Sequence, residues 1–139
     1  MSFKNIRLMP TPEEIKKMEP ISPELKAIKD ENDKQLKDIF TGKDNRFVVI
    51  VGPCSADDEE AVCDYMRRLN EVKKQVADKM FIVPRVYTGK PRTTGEGYKG
   101  MMHQPDPEGA PNMVEGIKAI RRMYLRVIEE TGMPLADEM

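Results

Sequence analysis

The chain has 139 residues, with 23 Lys+Arg against 24 Asp+Glu, one His, two Cys and no Trp, which is the size of one ordinary domain with nearly balanced charge. Hydrophobic residues at 39% are too many for a disordered chain, and no apolar run approaches the length of a membrane span. A net charge of -1 removes the broad positive field of a general nucleic-acid binder, so any anion binding must come from a local cluster.

Residues 1–22 carry Pro10, Pro12 and Pro20 and one short apolar stretch, Ile6 to Met9, which predicts an extended arm with at most one brief strand that docks on something. The arm has no apolar segment of the signal-peptide kind and mixes acids with prolines, so the expected location is the cytoplasm. Ser22-Pro23-Glu24 reads as an N-cap followed by Pro at the first helical position. With Leu25, Ile28, Leu36, Ile39 and Phe40 at helical spacing, it predicts a helix over 23–40 that Gly42 closes.

Phe47-Val48-Val49-Ile50-Val51 is a continuous β-branched run, apolar on both faces, as in a strand buried inside a parallel sheet; it stops at Gly52-Pro53. Residues 56–76 place Ala61, Val62, Tyr65, Met66, Leu69, Val72 and Val76 on one helical stripe, with Asp57, Asp58, Glu59 and Glu60 in the first turn where the helix dipole favours acids. Met80 to Tyr87 predicts a second buried strand. Residues 112–131 predict a third amphipathic helix, ended by Gly132, with Met113, Ile117, Ile120, Tyr124, Val127 and Ile128 inward. Leu135-Ala136 opens a third strand, in which the sequence stops without turn or cap, so the chain reads as cut. This alternation of strands with helical crossovers is the grammar of an α/β fold with a parallel sheet.

In such sheets sites gather in the loops after the carboxyl ends of strands, which directs attention to Gly52-Pro53-Cys54-Ser55 and to residues 88–100. The second segment, with Arg85 before it, holds Arg85, Lys90, Arg92 and Lys99 against the single acid Glu96, a net +3 within sixteen residues. Thr93 and Thr94 add hydroxyls, and Gly95, Gly97 and Gly100 allow close backbone approach, so the loop offers the donors that phosphate oxygens require without forming a Walker A or GxGxxG motif. The competing reading is a solvated basic surface loop. Cys54 reads either as a thiolate metal ligand at the mouth of the same cavity or as a small buried hydrophobe. Cys63, on the following helix, reads as structural, and two such cysteines fit a reducing compartment better than a disulfide framework. His103 has no partner at ligand spacing and reads as a loop histidine. The acids Asp57 to Glu60 read as a solvated helix start, and the eleven methionines as core filling.

The segments GPCS and PRVYTGKPRTTGEGYKGMMHQPDP, in this order after the first and second strands, resemble the metal-dependent (class I) 3-deoxy-D-arabino-heptulosonate 7-phosphate synthases. The resemblance implies a (β/α)8 barrel with an N-terminal extension that condenses phosphoenolpyruvate with erythrose 4-phosphate and releases phosphate. That reaction is the first step of the shikimate route to aromatic amino acids. By the same resemblance Cys54 matches a ligand of the catalytic divalent metal, which polarises the aldehyde while phosphoenolpyruvate attacks it. The metal is Mn, Fe, Co or Zn without distinction. Arg85 and Lys90 match residues that hold phosphoenolpyruvate, Lys90 also lying near the reacting carbonyl, and Arg92 and Thr93 match binders of the sugar phosphate.

On this reading residues 1–44 form the extension, with an oligomer or regulatory contact, and residues 45–139 form the first β/α units of the barrel, stopping in the third strand. The family's later ligands, a His, a Glu and an Asp, are missing, so the isolated chain is expected to be inactive. Full-length relatives would be homo-oligomers fed back upon by an aromatic amino acid, with no nucleic-acid or membrane partner. The alternative is a non-catalytic chain that binds phosphorylated metabolites or associates with a full-length synthase.

Overall fold

The computed structural model describes residues 7–90 and 92–137. The elements run α1 (Pro12–Met18), α2 (Pro23–Phe40), β1 (Phe47–Val51), α3 (Glu59–Val76), β2 (Met80–Val86), α4 (Met113–Thr131) and β3 (Ala136–Asp137). Every helix starts on a side chain that accepts a free backbone N–H. Ser22 takes that of Leu25 at 3.2 Å, Asp58 that of Ala61 at 2.8 Å, and Asn112 that of Glu115 at 3.4 Å.

The arm departs from expectation. Its prolines do not keep it extended, because Thr11 accepts the N–H of Glu14 while the Glu14 carboxylate takes the N–H of Thr11. This reciprocal cap starts α1 with Pro12 in its first turn. Leu8 and Met9 lie exposed and outside any strand, and Ile6, the start of the expected strand, falls outside the described residues. The arm docks on α4 of its own chain. Arg121 Nε donates to the Glu19 carbonyl at 2.5 Å, Arg122 pairs with the Glu19 carboxylate at 3.0 Å, and Ile15 is buried. Further along, the buried Asn32 of α2 donates to the Gly132 carbonyl at 3.0 Å and fixes α2 to the end of α4.

The three strands form one parallel sheet in the order β1-β2-β3, with Phe47 opposite Met80, Val51 opposite Pro84, and Arg85 and Val86 opposite Ala136 and Asp137. Val62, Cys63 and Met66 of α3 pack with Ile120, Met123 and Val127 of α4, with Val86 of β2, and with Ala56, Met101 and Met133. Both crossover helices therefore share one core on one side of the sheet, unlike the two-sided cover of a doubly wound fold. Four of the eleven methionines, Met66, Met101, Met123 and Met133, fill that core. β1 is a second correction. Phe47 is 70% and Ile50 61% exposed, so the run is not buried on both faces. Among the described residues β1 has a strand neighbour only on its β2 side, and that neighbour cannot cover it alone.

α3 and α4 are also clamped at the surface. Arg126 reaches Glu59 (3.0 Å), Glu60 (2.5 Å) and Glu130 (2.7 Å), and Arg67 reaches Glu60 (2.7 Å) and Glu130 (2.8 Å). Of the acids expected to be merely solvated, Glu59 and Glu60 thus join the two helices.

Candidate anion-binding site

The site begins where β1 ends. A Cβ on Gly52 would lie 1.6 Å from the backbone oxygen of Arg85, so only glycine lets the two chains approach this closely. The GPCS loop then turns back, and the Ala56 N–H donates to the Tyr87 carbonyl at 3.0 Å, tying the end of β1 to the end of β2. This brings together two residues 36 positions apart: Lys90 Nζ donates to Cys54 Sγ at 3.6 Å. Cys54 is exposed, which removes the reading of it as a small buried hydrophobe.

The β2 loop is closed on itself by its backbone. The Thr88 carbonyl accepts the Met102 N–H at 3.0 Å, and the Lys90 N–H donates to the Lys99 carbonyl at 2.9 Å. Gly100 sits between these bonds at φ 95°, where a Cβ would also lie 2.2 Å from the Thr88 oxygen. Arg92 is held by its own loop, Nε donating to the Tyr98 carbonyl at 2.8 Å. The result is a cavity of about 340 Å³ lined by Gly89, Lys90, Arg92, Gly95, Lys99, Met102 and His103. Among the described residues no carboxylate lines it, and no ion pair involves Lys90, Arg92 or Lys99. Arg92 is held by a carbonyl and Lys90 by a sulfur, so neither cation is directed at a carboxylate.

Not every expected residue enters this cavity. Arg85 is half-buried at the end of β2, its guanidinium 5.3 Å from the centroid of the Tyr87 ring, and Thr93 is exposed on the outer turn. Both stand outside the lining. Conversely His103, read as an ordinary loop histidine, is part of it; the turn that carries its N–H to the Gly100 carbonyl at 3.1 Å folds it back. Tyr98 was not singled out either. Its hydroxyl is buried with no hydrogen-bond partner among the described residues, and burial, assisted by the Asp57 charge, pushes its pKa up. Cys63 is fully buried, and burial raises its thiol pKa, consistent with a structural role.

A divalent metal would find one donor here. Cys54 is exposed and beside an ammonium, and among the described residues no group of three or more His, Cys, Asp or Glu is arranged so that it could hold a metal ion.

A parallel α/β sheet with both crossover helices on one side, whose β2 loop encloses a cationic cavity, carries its candidate site at the carboxyl edge of the sheet. The sequence places the chain more narrowly: it matches the DAHP synthetase I family over residues 19–139, and the chain belongs to that family. It is 36% identical over 132 residues to the Tyr-sensitive phospho-2-dehydro-3-deoxyheptonate aldolase of Escherichia coli K12, covering 95% of this chain and 36% of that one. It is 37% identical over 102 residues to the phenylalanine-inhibited phospho-2-dehydro-3-deoxyheptonate aldolase of Saccharomyces cerevisiae, covering 73% and 27%. The solved structure of the phospho-2-dehydro-3-deoxyheptonate aldolase from Francisella tularensis SCHU S4 superposes with a TM-score of 0.86 at 29% identity, over 99% of this chain and 40% of that one. The chain thus spans between 27% and 40% of the length of these relatives. Among the described residues no helix is long and apolar enough to cross a membrane.

Proposed function

We propose that the chain forms the first two βα units of a (β/α)8 barrel that condenses phosphoenolpyruvate with erythrose 4-phosphate and releases phosphate, and that its β2 loop holds phosphoryl groups of these substrates. The carrying observation is the cavity in which Lys90, Arg92 and Lys99 converge with no opposing carboxylate, Lys90 also touching Cys54. The sequential strand order and the one-sided helices support the barrel. Lys90 and Arg92 neutralise phosphate oxygens by charge-assisted hydrogen bonds, Arg85 and Thr93 complete the substrate contacts from the strand end and outer turn, and Lys90 donates toward the reacting carbonyl. Cys54 is the one residue offered to a divalent metal. Residues 1–44 act as the extension through which a homo-oligomer assembles and an aromatic amino acid regulates, as the names of the Tyr-sensitive and phenylalanine-inhibited relatives suggest.

With Cys54 the one proposed metal donor among the described residues, the 139-residue chain is expected to bind substrate without turnover. Calorimetry with phosphoenolpyruvate and with erythrose 4-phosphate tests the reading. Saturable binding is expected, weakened about tenfold or more by Lys90→Ala, the loss of one charge-assisted bond. No binding, or equal binding by Lys90→Ala, overturns it. Product formation above a Cys54→Ala control overturns the expectation of inactivity.

A further inference from the structure

The candidate site hangs on Thr88, which is fully buried and stands two residues before Lys90. Its carbonyl anchors the far end of the loop through the Met102 N–H. What fixes Thr88 itself comes from outside the loop. Asp137, the last residue of β3, accepts the Thr88 N–H on Oδ1 at 3.2 Å and the Thr88 hydroxyl on Oδ2 at 2.5 Å. The same Oδ2 accepts the phenol of Tyr124, from α4. One carboxylate therefore gathers three donors from two other parts of the fold. An ionised carboxylate suits this position because it only accepts, whereas an amide would turn N–H groups toward some of these donors. Among the described residues β3 pairs with β2 through Ala136 and Asp137, and the Asp137 side chain adds the bonds to Thr88.

We propose that Asp137, oriented by Tyr124, is a positioning residue: by clamping Thr88 it sets where Lys90 stands against Cys54 and the cationic cavity, without touching a ligand itself. The inference rests on the reading of that cavity as a phosphoryl site and adds residues from α4 and β3 that no loop motif contains. The side chains involved are suited to hold a fixed geometry. Thr88 has no exposure, and burial together with the Asp137 carboxylate pushes the Tyr124 pKa up, so the phenol keeps its proton.

The test uses the whole chain and compares Thr88→Val, which removes the hydroxyl at constant shape, Tyr124→Phe and the conservative Thr88→Ser, each first shown to be folded by circular dichroism. Two properties are read: affinity for phosphoenolpyruvate, and the alkylation rate of the exposed Cys54 by iodoacetamide, a local probe that needs no ligand. Lys90→Ala is the reference for a site without its lysine. Thr88→Val and Tyr124→Phe are expected to weaken phosphoenolpyruvate binding about 3- to 10-fold, the scale of one buried hydrogen bond, and to shift Cys54 alkylation toward the Lys90→Ala rate. Thr88→Ser is expected to restore both. If the two variants melt earlier yet keep parental affinity and parental alkylation, Asp137 is only structural and the proposal is overturned. If Lys90→Ala itself binds phosphoenolpyruvate normally, the phosphoryl reading fails, while the alkylation rates still decide whether Asp137 positions Lys90.

Discussion

Replacing Gly52 by Ala puts one methyl group where the sheet and the site meet. The new Cβ would stand 1.6 Å from Arg85 O, 2.6 Å from Arg85 C and 3.0 Å from Arg85 N, all backbone atoms of β2 with no flexible side chain to yield. Reaching ordinary contact at 3.4 Å requires the end of β1 to retreat by roughly 1.8 Å, against a strand spacing of about 4.8 Å. A retreat of that size breaks the last rung of the ladder beside Val51 and Pro84 and the bond from the Ala56 N–H to the Tyr87 carbonyl. Two buried-side hydrogen bonds at about 1 kcal/mol each, plus residual strain, give a loss of about 2–4 kcal/mol, a large share of the stability of a small domain. The same movement carries Cys54 away from Lys90. Urea unfolding followed by circular dichroism reads the first effect as a lower midpoint, and iodoacetamide labelling of Cys54 in the absence of denaturant reads the second. A Gly52→Ala protein with the parental midpoint and the parental labelling rate would refute the claim that this close approach builds the site.

Other perturbations reach the core and the charge network. Met123→Ala empties a fully buried position shared by α3, α4 and β2 and should cost about 2–4 kcal/mol in chemical denaturation; a cost below about 1 kcal/mol would mean that the core closes over the gap. Tyr98 and Tyr124 both have raised pKa values, so alkaline titration of tyrosinate absorbance should find two of the four tyrosines delayed until the chain unfolds. Because an acid with a raised folded pKa stabilises the fold below its unfolded value, this contribution is present up to about pH 10 and is lost as the pH rises beyond it. Tyr124→Phe should remove one of the delayed groups. The opposite sign applies to the surface network: Arg67 first, then Arg126, holds Glu60 below its ordinary value of 4.5, and Arg126 does the same for Glu130. Their contribution is present above that value and is lost as the pH falls through the lowered one, so Arg126→Ala should flatten the acid limb of a stability profile.

What could be read from the sequence follows how local each signal is. Pro23 behind Ser22, the acids at the start of α3, and Gly132 behind α4 are cap chemistry confined to a few neighbours; α2 and α4 lie where the pattern places them, and α3 starts at Glu59, three residues later than the stripe, because Asp58 serves as its cap. The cap of α1 was equally local, Thr11 with Glu14, but three nearby prolines argued for an extended arm, and Pro12 proved compatible with a helix because it occupies the first turn. β1 shows the limit of composition. Its apolar run states that it prefers burial, and only the sheet order states that one side has no strand neighbour among the described residues. For the candidate site, the net charge of the β2 loop and its place after a strand direct attention to Arg85, Lys90, Arg92 and Lys99, and the place of GPCS after β1 directs it to Cys54. The clamp on Thr88 was invisible because Asp137 lies 49 residues away and carries no motif.

The treatment of charge differs between this loop and the helices around it. Several arginines elsewhere sit on carboxylates, Arg46 on Asp44, Arg67 on Glu60 and Glu130, Arg122 on Glu19, and Arg126 on three glutamates, while Arg121 donates to the Glu19 carbonyl. Around the cavity the pattern reverses. Arg92 is directed by a carbonyl and Lys90 by a sulfur, while Glu96, the one acid of the loop, does not line the cavity. Like charges gathered without counter-ions repel, so the arrangement lowers the stability of the free fold, and an anion that fills the cavity restores it. Phosphoenolpyruvate should therefore raise the melting temperature of this chain, increasingly with its concentration and less at high ionic strength. A surface loop of the same composition would respond to salt alone, and a melting temperature that rises equally with chloride and with phosphoenolpyruvate would place this loop in that class.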